Sequence, residues 1–509
     1  MNGRFVMVLH SHLPYVLGKG RWPFGEEWLH EIALDTYLPL LEEFERLDHD
    51  NVPGTIALGI TPILMEQLKS PAFVDSFRTW VDVKRKALEQ DVSRLPDTPE
   101  AHDLNMFYRE ELDQRLRQFD MLGGDLLEAF ARLQESGRLE ILTSCATHGY
   151  MPLFGNDESR RLQIRTGVAV YQHWMGRRPT GFWLPECGYI PGVERLLAEE
   201  GLRYFIADAT TFDAGTGQEH TNVHIPVATS TEAPWTPWNI GADVAVFLRN
   251  PATSKQVWSR DFGYPGNGSY REFHKRCESS GWQYWRITSK QTDLGAKELY
   301  RPDEARKRAI EHGQHFASLV RDLAAQRERL TGDPGVIVAA YDTELFGHWW
   351  YEGREWIGAV LRNLAAKESI SAVAPTAVLA ERNLPLGRLR ESSWGSGGGH
   401  STWMNPETSW IWDNIHDDQR HFVDLLPQLH GQTGDALLRE ILLEESSDWP
   451  FMITTAQART YGTARFLEHH RKVRALFAAI EDTDQIPTSQ AGSDDPVFEH
   501  IRLNEIWKA

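Results

Sequence analysis

Cysteine is scarce in this chain. Cys145, Cys187 and Cys277 are the only three, too few for a disulfide framework and without the spacing of a zinc finger, which fits a reducing compartment. Long apolar runs are missing too. The run Phe5–Leu9 is far shorter than a signal-peptide core or a membrane span, and polar, histidine-bearing sequence follows at once, so a soluble cytoplasmic protein is expected. Positive charge is in deficit: 53 Lys and Arg face 72 Asp and Glu, for a net charge of −19. That balance repels polyanions and argues against nucleic acid or an anionic membrane as partner.

What the chain has in excess is tryptophan, with 19 Trp against 14 Tyr. Indoles in such number suit a ligand with flat apolar faces and polar edges. The remaining composition, 41% hydrophobic and 25% charged over 509 residues, is that of an ordinary folded protein and disfavours disordered or fibrous classes for most of the chain.

Short apolar or β-branched runs recur at Arg4–His10, Thr55–Ile60, Leu139–Thr143, Thr180–Leu184, Tyr204–Ala207, Val244–Leu248 and Val336–Tyr341, with helical patterns such as Leu38–Leu47, Arg160–Trp174, Gly192–Glu200 and Pro302–Leu330 between most of them. Strands alternating with helices imply an α/β fold with a mainly parallel sheet. Several of these runs end in chemistry-bearing residues (His10 and His12, His148, Glu186, Asp208, Asp342), the signature of a barrel whose site sits at the strand C-termini. An open doubly wound sheet would gather them at one switch point. Residues 70–130 read as an inserted set of amphipathic helices, and a boundary falls near Leu384–Gly399, where Pro385 precedes the run Gly395, Gly397, Gly398 and Gly399. The expected division is a catalytic barrel over 1–385, including an aromatic loop at 230–270, and an α-helical C-terminal domain over 386–509 that contributes to the cleft. Glu481–Pro496 reads as a polar linker.

Glu186 follows the apolar strand Phe182–Leu184 directly, through Pro185, a position that suits a nucleophile, a general base, a metal ligand or a structural carboxylate. In Tyr341-Asp342-Thr343-Glu344, strand alternation would put Asp342 and Glu344 on one face. Paired carboxylates with aromatics beyond them suit glycosidic cleavage, where one acid protonates the leaving oxygen and the other meets the oxocarbenium-like carbon. Spacing does not choose between Asp342 and Glu344. The pair His10-Ser11-His12 also fits a metal-dependent hydrolase, but no Cys cluster and no H-E-x-x-H accompany it. The preferred reading has neutral His10, His12 and His148 donating hydrogen bonds to sugar hydroxyls and to catalytic carboxylates, with no metal and no cofactor. The irregular stretch Ala233–Gly268, which carries Trp258 and Tyr264, and the indole-rich segment Thr402–Trp412 are candidates to hold a sugar chain and exclude water.

The ordered segments HSHLPY (His10–Tyr15), ATHGYMPL (Ala146–Leu153), WLPECGY (Trp183–Tyr189), YDTELFGHWW (Tyr341–Trp350) and TWMNPETSWIW (Thr402–Trp412) resemble the five motifs of glycoside hydrolase family 57. The resemblance spans nearly the whole chain, through WPFGEEWL near the start, SKQVWS and GYPG in the long loop, and SDWPF at Ser447–Phe451. Within the family it points to the 1,4-α-glucan branching enzymes, although the segment between Trp412 and Asp448 is shorter than that group leads one to expect. It implies a distorted (β/α)7 TIM-like barrel and a retaining mechanism, with Glu186 as nucleophile and Asp342 as acid/base. Implied glucan contacts are Arg249, Trp258, Gly266, Trp403, Trp412, Asp448 and Gln457. The expected partner is a neutral α-glucan, met by a monomer or homodimer. The close alternative is an α-amylase-like hydrolase, and a catalytically silent glucan binder is disfavoured by the presence of both acids.

Overall fold

Strand β1 (Gly3–Ser11) is buried along almost its whole length, and β2 (Ile56–Ile60) is buried at every position. Parallel strands covered on both faces have no solvent side, which is why they read as continuous apolar runs and not as alternations. The computed structural model describes residues 2–21, 24–209, 233–278, 280–481 and 495–507. Seven strands are mutually parallel in the order β7-β5-β4-β3-β2-β1-β8, where β3 is Leu139–Ser144, β4 Gly181–Trp183, β5 Tyr204–Asp208, β7 Ala245–Arg249 and β8 Val336–Asp342. Each of the seven expected runs forms one of these strands. The short β6 (Trp238–Asn239) pairs antiparallel with β7, and β9 (Ile370–Ala372) pairs with the start of β1.

The sheet curls until its two ends approach. Asn250 N donates to Val338 O at 2.9 Å, linking the end of β7 to β8 without a strand ladder between them. The result is the distorted TIM-like barrel, with all seven parallel strands delivering their carboxyl ends to one face. Between β2 and β3 the chain forms the helices Pro71–Asp91 and Pro99–Met121, each with proline in its first turn and a hydroxyl cap, Ser70 accepting from Ala72 N and Thr98 from Ala101 N.

The C-terminal helices Ser409–Leu425, Gly431–Glu444, Asp448–Thr454 and Arg459–Glu481 do not stand apart from the barrel. Trp403, Ile411, Trp412, Trp449 and Phe466 share one apolar cluster with Tyr150, Phe182, Leu184 and Phe205. The stretch Leu384–Gly399, expected as a boundary, docks across the strand ends: Ser392 and Tyr189 exchange backbone hydrogen bonds of 2.8 and 3.1 Å. Most of the expected polar linker, 482–494, and positions 230–232 of the expected aromatic loop lie outside the described residues. Among the described residues no helix is long and apolar enough to cross a membrane.

Candidate active site

Beyond β4 the chain turns through a single 3-10 turn, Pro185–Cys187, in which Glu186 has φ 59° and ψ 24° and Cys187 has φ 50°. Left-handed backbone at non-glycine residues costs on the order of 1–3 kcal/mol each and persists only where the surroundings impose it. Here they do. Cys187 N donates to Leu184 O at 2.9 Å, Gly188 N to Pro185 O at 2.8 Å, and Trp394 N to Glu186 O at 3.1 Å. The Glu186 side chain is held as firmly: its Oε2 accepts from Trp394 Nε1 at 2.7 Å and its Oε1 from Ser447 Oγ at 3.4 Å. His148 Nδ1 lies 3.8 Å from Oε1, and His148 too has a left-handed backbone, with φ 60°.

Asp342 ends β8 and lines an open cleft of about 720 Å³ together with Asp208, Arg249, Lys255, Trp258 and Trp394. Arg249, at the end of β7, donates from Nε and Nη2 to Asp208 Oδ2 at 3.1 and 2.5 Å and lies over the Trp394 ring, 5.4 Å from its centroid. The expectation that Asp342 and Glu344 share a face is overturned. The strand stops at Asp342 and a 3-10 turn, Thr343–Leu345, takes over, so alternation no longer applies. Glu344 turns inward, accepting from Tyr37 OH at 2.7 Å and from His12 N at 3.3 Å. It props up the first strand end and does not line the cleft.

Burial pushes the Glu186 carboxyl up to about 8; the Trp394 hydrogen bond opposes this, and the negative charges of Asp342 and Asp448 add to it. Burial raises Asp342 to about 6, with Arg249 and His12 pulling down. The two acids therefore hold one proton between them from about pH 6 to about pH 8. The Arg249 guanidinium beside Asp342 tilts that proton toward Glu186.

Beneath the acids lies a stack of imidazoles. His10 and His148 face each other, Nε2 to Nε2, at 3.0 Å; the rings of His12 and His148 stack at 3.9 Å; and His10 packs on Trp183 at 4.4 Å. Burial lowers the pKa of His10 and His148 well below the usual value, so both are neutral. His12 is fixed by Thr61 Oγ1 at 3.0 Å and Asp448 Oδ2 at 2.8 Å, and Ser446 Oγ donates to the same Asp448 oxygen at 2.6 Å. His12, His148 and Asp448 bring donor atoms within 4.8 Å of one another, one of three groups among the described residues close enough to hold an ion.

The structure thus gathers Glu186, Asp342, His12, His148, Asp208, Arg249, Trp258 and Asp448, with His10 one layer below. Others of the expected contacts lie elsewhere. Trp403 and Trp412 are each 1% exposed; Trp403 stacks on Tyr150 at 4.3 Å and Trp412 Nε1 donates to Trp403 O at 2.8 Å. Both faces are covered, so neither presents a platform to a sugar. Tyr264 is buried, bonded through its hydroxyl to His315 Nδ1 at 2.6 Å, and it lines with Gly266 a separate pocket that Asp342 does not reach. Gln457 is exposed beyond the helix Asp448–Thr454. Sequence reasoning missed Trp394 and Ser447 as partners of Glu186. Trp394 stands immediately before the glycine-rich run, a signal that could have drawn attention to it. Trp349 is 41% exposed, with its ring centroid 6.3 Å from that of Trp258, and the two indoles form the open aromatic surface at the mouth of the cleft.

Residues 6–385 match the model of glycosyl hydrolase family 57, and residues 418–505 match that of the 1,4-α-glucan branching enzyme C-terminal region. The chain is similar to a 1,4-α-glucan branching enzyme of Thermococcus kodakarensis, 41% identical over 504 residues that cover 94% of this chain and 73% of that one. The crystal structure of that relative, in complex with glucose, superposes with a TM-score of 0.92 at 38% identity, covering 100% of this chain and 97% of that chain. An α-amylase of Thermotoga maritima, AmyC, superposes with a TM-score of 0.87 at 29% identity, with both chains covered completely. With three quarters of its length under one family model and a relative of this identity, the chain belongs to glycosyl hydrolase family 57.

Proposed function

We propose that this protein is a 1,4-α-glucan branching enzyme, which cleaves an internal α-1,4 linkage and transfers the released segment to a 6-hydroxyl to form an α-1,6 branch. The observation that carries this reading is the match of residues 418–505 to the branching-enzyme C-terminal model. The fold by itself does not discriminate, because an α-amylase superposes over the whole of both chains. In the mechanism we favour, Glu186 attacks the anomeric carbon while Asp342 gives its proton to the departing glycosidic oxygen, leaving a glycosyl ester on Glu186. Asp342, now ionised, takes the proton of an acceptor 6-hydroxyl, whose oxygen displaces Glu186 with net retention.

The surroundings support this division of labour. The Trp394 N–H and the Ser447 hydroxyl favour an ionised Glu186, a carboxylate ready to attack. The productive form carries the shared proton on Asp342, and a sugar ring displacing water from the cleft would strengthen both the repulsion between the acids and the donors' hold on Glu186. Neutral His148, engaged by Ser447 Oγ at Nδ1 and by His10 at Nε2, braces the floor beneath Glu186, and the Trp258–Trp349 surface offers apolar faces to an incoming glucan. A neutral polysaccharide suits a protein at −19, and a role in storage-glucan synthesis in the cytoplasm follows from this reading.

The test is incubation with amylose followed by proton NMR and a reducing-end assay. Branching gives α-1,6 signals with few new reducing ends. Reducing ends rising without α-1,6 signals would reject branching in favour of hydrolysis. Glu186→Gln and Asp342→Asn should each abolish turnover, and Glu344→Gln should not.

A further inference from the structure

The Ser447 hydroxyl has one hydrogen and two acceptors within reach. Its Oγ stands 3.4 Å from Glu186 Oε1 and 2.9 Å from His148 Nδ1, and only one of them receives the proton. The tautomer of His148 decides which. With its proton on Nδ1, the imidazole donates to Ser447 Oγ and leaves the hydroxyl to donate to Glu186. With its proton on Nε2, Nδ1 is a lone pair, the hydroxyl turns toward it, and the carboxylate faces an oxygen lone pair instead.

Two features of the surroundings select the first arrangement. His10 Nε2 faces His148 Nε2 at 3.0 Å, and burial holds both rings neutral, so one of these nitrogens donates and the other accepts. His10 Nδ1 is buried and meets no partner among the described residues, and a Cβ on Gly59 would fall 3.2 Å from it, which marks a closely packed wall. Buried donors without acceptors are rarer and costlier than under-used acceptors. The orphan nitrogen is therefore the lone pair, and His10 carries its proton on Nε2. Glu186 points the same way: its Oε1 lies 3.8 Å from His148 Nδ1, where an ionised oxygen favours an N–H over a lone pair.

We propose that His10 is a positioning residue for the nucleophile: its Nε2–H holds His148 in the Nδ1–H tautomer, and that tautomer aims the Ser447 hydroxyl at Glu186. Donation runs from His10 Nε2 to His148 Nε2, from His148 Nδ1 to Ser447 Oγ, and from Ser447 Oγ to Glu186 Oε1. A chain of this kind is polarised toward the carboxylate, each bond strengthening the next. Packing fixes the ring orientations it needs, His10 on Trp183 at 4.4 Å and His148 on His12 at 3.9 Å. His10 is only 2% exposed and acts through its neighbours. No proton leaves the chain during turnover; the imidazoles serve by not competing for the one that Ser447 holds. The assignment rests on Glu186 being the nucleophile of the proposed reaction.

Neutron diffraction from perdeuterated crystals of the unaltered protein reads the chain directly. Deuterium is expected on His10 Nε2, on His148 Nδ1 and on the Glu186 side of Ser447 Oγ; deuterium on His148 Nε2 overturns the proposal. In solution, His10→Met puts a thioether, a weak acceptor and no donor, where the N–H stood, which turns His148 and the hydroxyl the other way. Glu186 then loses that donor while still facing Asp342 and Asp448. The fall in kcat/KM should be about 3–10-fold, with the alkaline limb moving up by about 0.5–1 unit. His10→Gln, which keeps an N–H donor, should recover most of the loss. In a Ser447→Ala background His10→Met should move neither quantity further, because its effect passes through that hydroxyl; a second loss of equal size there overturns the proposal too. A wrong nucleophile shows separately, as turnover retained by Glu186→Gln, and leaves the neutron map unchanged.

Discussion

Trp394→Phe keeps an aromatic ring beside Trp183 and beneath Arg249 but removes the Nε1–H that Glu186 Oε2 accepts at 2.7 Å. A hydrogen bond to a charged partner contributes about 1.5–3 kcal/mol, and one pKa unit corresponds to about 1.4 kcal/mol. The Glu186 carboxyl should therefore rise by roughly 1–2 units from its value of about 8. Asp342 has no bond to Trp394 among those described, so its value of about 6 should hold. The singly protonated pair then spends about 10–100-fold less of its time with Glu186 ionised and Asp342 protonated, and kcat/KM should fall by that factor. The sign of the pH effect is opposite to that of a damaged site. Losing the last proton becomes harder, so the alkaline limb of kcat/KM moves up by about 1–2 units. The assay is kcat/KM on amylose from pH 5 to pH 10, alongside thermal unfolding. A variant of parental Tm whose kcat/KM stays within about threefold and whose alkaline limb does not move would refute the reasoning.

Further outcomes follow from the same geometry. The parent enzyme should show a bell-shaped kcat/KM, with limbs near 6 and 8 where the acid pair gains its second proton and loses its first; a plateau extending past pH 9 would remove the shared proton from the scheme. Trp258→Ala and Trp349→Ala, at the cleft mouth, should each raise KM for long glucans by about 3–10-fold, from about 0.5–1.5 kcal/mol of lost aromatic contact; an unchanged KM for both would show that the glucan enters elsewhere. Burial raises Glu344 from 4.5 to about 8, so its stabilising contribution is complete below about pH 4.5 and is lost as pH climbs to about 8. Glu344→Gln should accordingly give a shallower fall of Tm over that window, and a parental slope would exclude this carboxyl as a source. Dialysis against a chelator should leave activity intact; loss restored by zinc would make His12, His148 and Asp448 a metal centre.

The barrel was legible because parallel strands buried on both faces leave unbroken apolar runs, and residues just past those runs stand at one end of the sheet. His12, Glu186, Asp208 and Asp342 could be read that way. The turn after Asp342 could not, because Thr-Glu-Leu continues a strand pattern as readily as it breaks one, and the break decides which acid faces the cleft. The glycine-rich run marks the place of Trp394 but not its role: its partner Glu186 lies 208 positions away, and no local period encodes that contact. For Trp403 and Trp412 the obstacle was burial. An indole at a helix start has the same identity whether it faces sugar or core, and Tyr150, another distant residue, settles the matter.

The merging of the C-terminal helices with the barrel in one apolar cluster bears on when, in the life of the molecule, the chemistry becomes available. Trp394, Ser447 and Asp448 stand far along the chain from the acids they surround. A ribosome would expose Glu186 and Asp342 well before it released their neighbours. Until the last helices close over the strand ends, the left-handed turn at Glu186 lacks the Trp394 backbone contact, and the carboxylate lacks both of its donors. A chain lacking those later segments would carry its two acids without the donors that orient Glu186.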